Sequence, residues 1–121
     1  MSFLALWLGV GVLGGLGALA RFAIDSFVSA STGARFPFGT LLVNLSGALV
    51  LGVLVGVALH GDAYLLVGTA VIGSYTTFST WMLESHRLAE DGRRWLLGAN
   101  IVLSLLLGVG AAELGRLLGG G

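Results

Sequence analysis

Cysteine is absent from this 121-residue chain, which excludes disulfide scaffolds, thiolate nucleophiles and cysteine-based metal sites together. Lysine is absent as well, so all six basic residues are arginine, and the single proline is Pro37. Charged residues make up only 10% of the chain and sum to zero. There is thus no global field to attract a nucleic acid or an acidic partner. The two histidines, His60 and His86, lie far apart in sequence. No nucleophile with a base, no paired carboxylates and no ligands at metal spacing stand out, so an enzyme is not expected. What the chain does hold is apolar: 56% hydrophobic residues and a mean hydropathy of +1.00, outside the range of water-soluble domains.

That apolar content falls into four stretches separated by short polar punctuation. They predict an all-α membrane protein with one domain over residues 1–121 and spans at about 3–24, 38–59, 63–83 and 95–116. The first stretch ends in a small-residue run, Ala18-Leu19-Ala20, that looks like a signal cleavage site, but no basic leader precedes it and it reads as a retained span. A polar connector is expected from Ser29 to Pro37, a tight turn at His60-Gly61-Asp62, and a solvated loop from Glu84 to Arg94. Trp7, Trp81 and Trp95 sit towards span ends, where indoles anchor at the interface. Arg21, Arg35, Arg87, Arg93 and Arg94 flank one side and Arg116 the other, a bias that places both termini outside the cytoplasm.

Polar groups are costly inside a bilayer, so their positions carry the information. Thr40, Asn44 and Gly47 share one helix face, as do Asn100, Ser104 and Gly108. Asn44 reads equally as an interhelical hydrogen-bonding residue or as part of a pore lining. Gly11 with Gly15, and Gly52 with Gly56, have the spacing of close helix contacts. The third stretch is the unusual one, because Gly73-Ser74-Tyr75-Thr76-Thr77-Phe78-Ser79-Thr80 crowds hydroxyls into its middle. Such a segment either breaks near the bilayer midplane, freeing carbonyls for an ion, or stays helical with its hydroxyls bonded to the preceding turn. Arg21, with Asp25 one turn on, is either an ion pair or interfacial arginine, or else a vestibule charge for anions.

Three motifs in order, Gly14 to Phe22 (GGLGALARF), Gly39 to Asn44 (GTLLVN) and Gly73 to Trp81 (GSYTTFSTW), resemble the Fluc, or CrcB, family of fluoride channels. The resemblance implies an antiparallel, dual-topology dimer in a bacterial or archaeal inner membrane that exports fluoride passively. It also implies a structural sodium ion on the two-fold axis, held by backbone carbonyls at Gly73 and Thr76. By the same likeness Phe78 and Trp81 are the aromatic pair, Asn44 the pore asparagine, Ser79 and Thr80 a hydroxyl track, and Arg21 the vestibule arginine. Trp81 stands where the family has a second phenylalanine, and Asn100 where it has a tyrosine. The arginine bias allows a heterodimer with an inverted paralogue beside the homodimer.

Physical chemistry agrees with an anion path, since fluoride sheds its water only where donors replace it, and amides, hydroxyls and aromatic edges can do so. Two other classes compete. A small four-span multidrug exporter needs a carboxylate in its first span, and none precedes Asp25. A non-transporting membrane subunit would use the polar stripes only as interhelical glue.

Overall fold

The computed structural model describes residues 2–33 and 35–121, which form helices and connections with no strand among them. Helix α1 is Phe3–Thr32 and α2 is Phe38–Gly56. Helix α3, Gly61–Tyr64, passes into a π-helical stretch, Leu65–Ile72, and then into α4, Gly73–Tyr75. Helices α5, Ser79–Glu90, and α6, Arg94–Leu118, complete the chain. Three helices, α1, α2 and α6, are individually long and apolar enough to cross a membrane.

Helix α1 begins where the Ser2 hydroxyl accepts the Ala5 N–H at 3.2 Å and ends at Gly33, whose φ of 79° is the left-handed turn that glycine tolerates best. The connector expected from Ser29 thus starts only at Gly33. The polar residues that suggested it are satisfied within the helix: Ser29 donates to Asp25 Oδ1, Ser31 to the Phe27 carbonyl and Thr32 to the Val28 carbonyl. At about 1.5 Å per residue α1 is roughly 45 Å long, more than the hydrocarbon layer alone requires.

The loop expected from Glu84 to Arg94 is also helix for most of its length, since α5 continues to Glu90 and turns at Gly92, φ 70°. Ser85 and Leu88 are buried on one face of it, while His86 and Glu90 pair across a turn at 3.0 Å on the exposed face. Charge at a helix end that leaves the membrane does not require a loop.

Helices α2 and α6 run parallel, since Gly52 faces Ala112 and Gly56 faces Arg116, and they meet backbone to backbone. A Cβ added at Gly52 would lie 2.1 Å from the Ala112 carbonyl oxygen, and one at Gly56 would lie 2.3 Å from that of Arg116. Reciprocally, a Cβ at Gly115 would lie 2.1 Å from the Leu49 oxygen. Glycine on both helices therefore sets their separation. Gly11 and Gly15, expected to do the same in α1, have nothing of this chain within 4 Å; Gly14 and Gly17 make the approach instead, with the Gly17 Cβ position 2.3 Å from the Val71 carbonyl oxygen.

The result is inverted relative to a soluble fold. The most deeply buried side chains are Val43, Asn100 and Thr40, whereas Phe3 is 80% exposed and Trp95 79%. Gly115→Ala should destabilise the protein by about 1–3 kcal/mol or prevent assembly of α2 on α6, as measured by thermal unfolding in detergent. Gly110→Ala, at a position with nothing within 4 Å, should leave the transition unchanged or raise it.

Candidate functional site

Helix α4 stops at Tyr75, Thr76 turns extended (φ −79°, ψ 158°), and α5 opens at Ser79. In a continuous helix the N–H groups of Thr77 and Thr80 would bond the carbonyls of Gly73 and Thr76. Here both are diverted. The Thr77 N–H donates to Asn44 Oδ1 at 2.8 Å, and Asn44 Nδ2 donates back to the Thr77 carbonyl at 2.9 Å. The Thr80 N–H donates to Thr77 Oγ1 at 3.1 Å, so the Thr77 side chain caps α5. Thr76 closes the turn before it, its N–H and its hydroxyl both donating to the Ile72 carbonyl at 2.9 and 3.0 Å. One asparagine thus serves both main-chain groups of Thr77, and the orientation of its amide follows from the donor and the acceptor it faces.

Three contacts hold the interruption in place. Gly47 in α2 leaves room for Thr76, whose Cγ2 would sit 2.3 Å from a Cβ there. Ser46 Oγ and Tyr75 Oη are 2.8 Å apart and share a hydrogen bond. On the other side, Gly14 and Gly17 of α1 admit Ser74 and the Tyr75 backbone.

Two cavities flank the segment. The larger, about 540 Å³, is lined by Asn44, Gly73, Thr76, Phe78, Trp81 and Ser104 among others, with no carboxylate in its wall. The Phe78 and Trp81 rings are 5.6 Å apart at 58°, and Phe78 is 71% exposed. The smaller, about 250 Å³, is lined by Arg21, Phe22, Asp25, Thr40, Val43, Thr77 and Thr80. Thr77 belongs to both walls. Arg21 and Thr80 are therefore brought together, and so are Asn44, Phe78 and Trp81, but across the break from them. Ser79 lines neither cavity; its Oγ lies 3.4 Å from Thr77 Oγ1. Among the described residues Arg21 and Asp25 form no ion pair, and Asp25 takes the hydrogen bond of Ser29.

Among the described residues, three buried polar atoms have no protein partner: Trp81 Nε1 and Ser104 Oγ, of residues that line the larger cavity, and Asn100 Oδ1. Each such group costs about 1–3 kcal/mol if it stays unpaired. The Asn100 amide does donate, to Ser85 Oγ at 2.9 Å, and Ser85 in turn donates to the Trp81 carbonyl at 2.8 Å. Among the described residues no group of three or more His, Asp or Glu side chains could hold a metal. A cation at the interruption would have to use main-chain oxygens, and the Gly73 and Thr76 carbonyls, deprived of their helical amides, are of the right chemistry.

Thr77 and Ser85 are the participants that sequence reasoning missed. Thr77 is one of several hydroxyls in a row, and nothing in composition says which one receives Asn44. Gly47 was visible in the stripe of Thr40 and Asn44 but read as packing.

Residues 8–116 match the family model described as CrcB-like protein, Camphor Resistance (CrcB). The chain is 51% identical over 118 residues to a protein of Mycolicibacterium paratuberculosis named Fluoride-specific ion channel FluC 2, covering 98% of this chain and 97% of that one. It is 52% identical over 112 residues to a FluC 2 of Mycobacterium tuberculosis, covering 93% and 89%. A protein of Symbiobacterium thermophilum named Fluoride-specific ion channel FluC 1 is 38% identical over 121 residues, covering 95% and 98%.

Removing the Asn44 amide strands both main-chain groups of Thr77 at once. Asn44→Ala should cost about 2–5 kcal/mol of stability in detergent and speed hydrogen exchange at the Thr77 amide far more than at amides of α6.

Proposed function

Because the chain belongs to the CrcB family, we propose that it is a fluoride-selective channel that lets the anion pass down its own gradient, with no catalysed reaction. The observation that carries this reading is the larger cavity beside the interrupted helix. Asn44, Thr76, Thr77 and Ser104 are among its lining residues, and no carboxylate opposes an anion there. Fluoride is small and tightly hydrated, so a path for it must replace water by donors at short range. The Asn44 amide, the hydroxyls of Ser79 and Thr80, the aromatic pair Phe78 and Trp81, and the Arg21 guanidinium at the far cavity make up the proposed path. The acid-free wall of the larger cavity also argues against a cationic drug as cargo.

The working unit in this reading is an antiparallel dimer. Four spans enclose no lumen, and Phe78, 71% exposed beside the cavity, lacks the cover that a second chain would supply. We read residues 61–90 as one span interrupted near the bilayer midplane, so that inversion about a two-fold axis would bring two interruptions together. The Gly73 and Thr76 carbonyls are then the groups that would hold a structural sodium ion, whose charge would balance carbonyl dipoles converging from both chains. The second chain is either an inverted copy or an inverted paralogue. The arginine bias favours one orientation for this chain, and its relatives carry the numbered names FluC 1 and FluC 2. The membrane is the inner membrane of a bacterial or archaeal cell.

Purified protein in liposomes, followed with a fluoride electrode, should release fluoride much faster than protein-free vesicles and leave chloride behind. Release no faster than from empty vesicles defeats the channel, and proton-coupled uptake of a cationic dye supports an exporter instead. Phe78→Ala should slow fluoride release at least about tenfold while the dimer still elutes at its usual size, as expected for losing a contact worth about 1.4 kcal/mol.

A further inference from the structure

We infer that the outer face of α6 beside the α5–α6 turn holds one anionic phospholipid, with its phosphate on Arg94 and an acyl chain in the notch at Gly98 and Ala99. An open groove of about 380 Å³ runs along that face, lined by Arg94, Trp95, Gly98, Ala99, Val102 and Leu103. These residues form two rows at i, i+4, i+8 spacing, so the groove follows the helix axis. A Cβ added at Gly98 would meet nothing within 4 Å, while Trp95 on one side and Val102 and Leu103 on the other stand exposed. Small residues between bulky ones thus leave a hollow that no part of the described chain fills.

Place, length and charge together select a lipid. Gly98 and Val102 each lie two residues from Asn100, about 160° round the helix from it. Asn100 points inward to Ser85, and Ser104 lines the larger cavity, where the proposed partner chain would stand. The groove is therefore on the back of α6. From Arg94 to Leu103 it extends about 13 Å, at about 1.5 Å per residue. That is close to half of a hydrocarbon layer roughly 30 Å thick, the depth that one leaflet's acyl chain occupies. A neighbouring helix would use a face as long as the whole span. Charge marks one end only. Arg87, Arg93 and Arg94 gather at the turn and outnumber Glu90 and Asp91, and Glu90 is engaged by His86 at 3.0 Å. No acidic residue stands in the first turn of α6. What fits is negative at one end and apolar for the depth of one leaflet. A guanidinium pairs with phosphate through two parallel N–H bonds, and the Trp95 indole belongs at headgroup level. A headgroup with its own ammonium, such as phosphocholine, already has a cation beside its phosphate and gains less from Arg94.

Native mass spectrometry of the full chain, titrated in detergent with phosphatidylglycerol or with phosphatidylcholine of the same acyl chains, counts bound lipid directly. The wild type should retain one phosphatidylglycerol per chain and bind phosphatidylcholine about fivefold more weakly, the factor expected for one arginine near a membrane surface. Arg94→Gln should weaken phosphatidylglycerol binding about fivefold and abolish the preference. Gly98→Leu adds a side chain where nothing of the described chain lies within 4 Å, so its thermal transition in detergent should be unchanged. It should still weaken phosphatidylglycerol binding by a like factor, because it fills the notch and leaves the charge alone. Gly110→Leu, equally open but outside the groove, should bind as the wild type does. Equal binding of the two lipids by the wild type, or undiminished phosphatidylglycerol binding in either Arg94→Gln or Gly98→Leu, overturns the site. A Gly98→Leu chain that loses its dimer while folded assigns the groove to a second copy and overturns it too. None of these measurements reads fluoride, so they decide the lipid site whether or not the chain conducts it.

Discussion

Inside a bilayer every main-chain N–H and C=O must find a partner within the protein, and in this chain that requirement is hardest to meet at Thr77. Where a helix stops, amides and carbonyls lose their helical partners and need new ones. The amide of Asn44 meets the need at one residue from both sides, and the Thr77 hydroxyl meets it for Thr80. What remains over is the carbonyls of Gly73 and Thr76, which the helix no longer claims, and a cavity wall that includes Phe78 and Trp81. Asn44 is thus a structural group and a cavity-lining group at once, because the same side chain is large enough to do the first only by standing at the second.

The rest of the architecture brings Asn44 within reach. Glycine lets α2 rest on α6 with backbone contact, and Gly47, one turn beyond Asn44, admits Thr76 where any side chain would collide. Close approach matters here because the hydrophobic effect does not hold helices together in lipid; packing and interhelical hydrogen bonds do. The deepest side chains accordingly include Thr40 and Asn100, and the large apolar ones face outward.

Several buried polar atoms have no hydrogen-bond partner within this chain. In a soluble protein such atoms would signal strain or a missing water. Here they include Trp81 Nε1 and Ser104 Oγ, of two residues that line the larger cavity. Asn100 and the Trp81 carbonyl are joined through Ser85, which ties α6 to α5.

Much was legible without coordinates. Hydropathy alone specified a helical membrane protein, because lipid admits few backbone solutions, and the ordered motifs specified the family. Connector boundaries were less legible: Ser29 to Thr32 and Glu84 to Glu90 read as loop but are helix, because hydroxyls bonded back along α1 and charges spread round α5 satisfy those residues locally. Of the glycine pairs, Gly52 and Gly56 make the contact and Gly11 and Gly15 do not, since spacing identifies a face without saying what lies opposite it. Sequence likewise named Asn44 and a crowd of hydroxyls, yet which hydroxyl-bearing residue met the amide was decided only when α2 and the third span were brought together. A hydrogen bond across 33 residues depends on the separation and rotation of two helices, and neither is encoded locally.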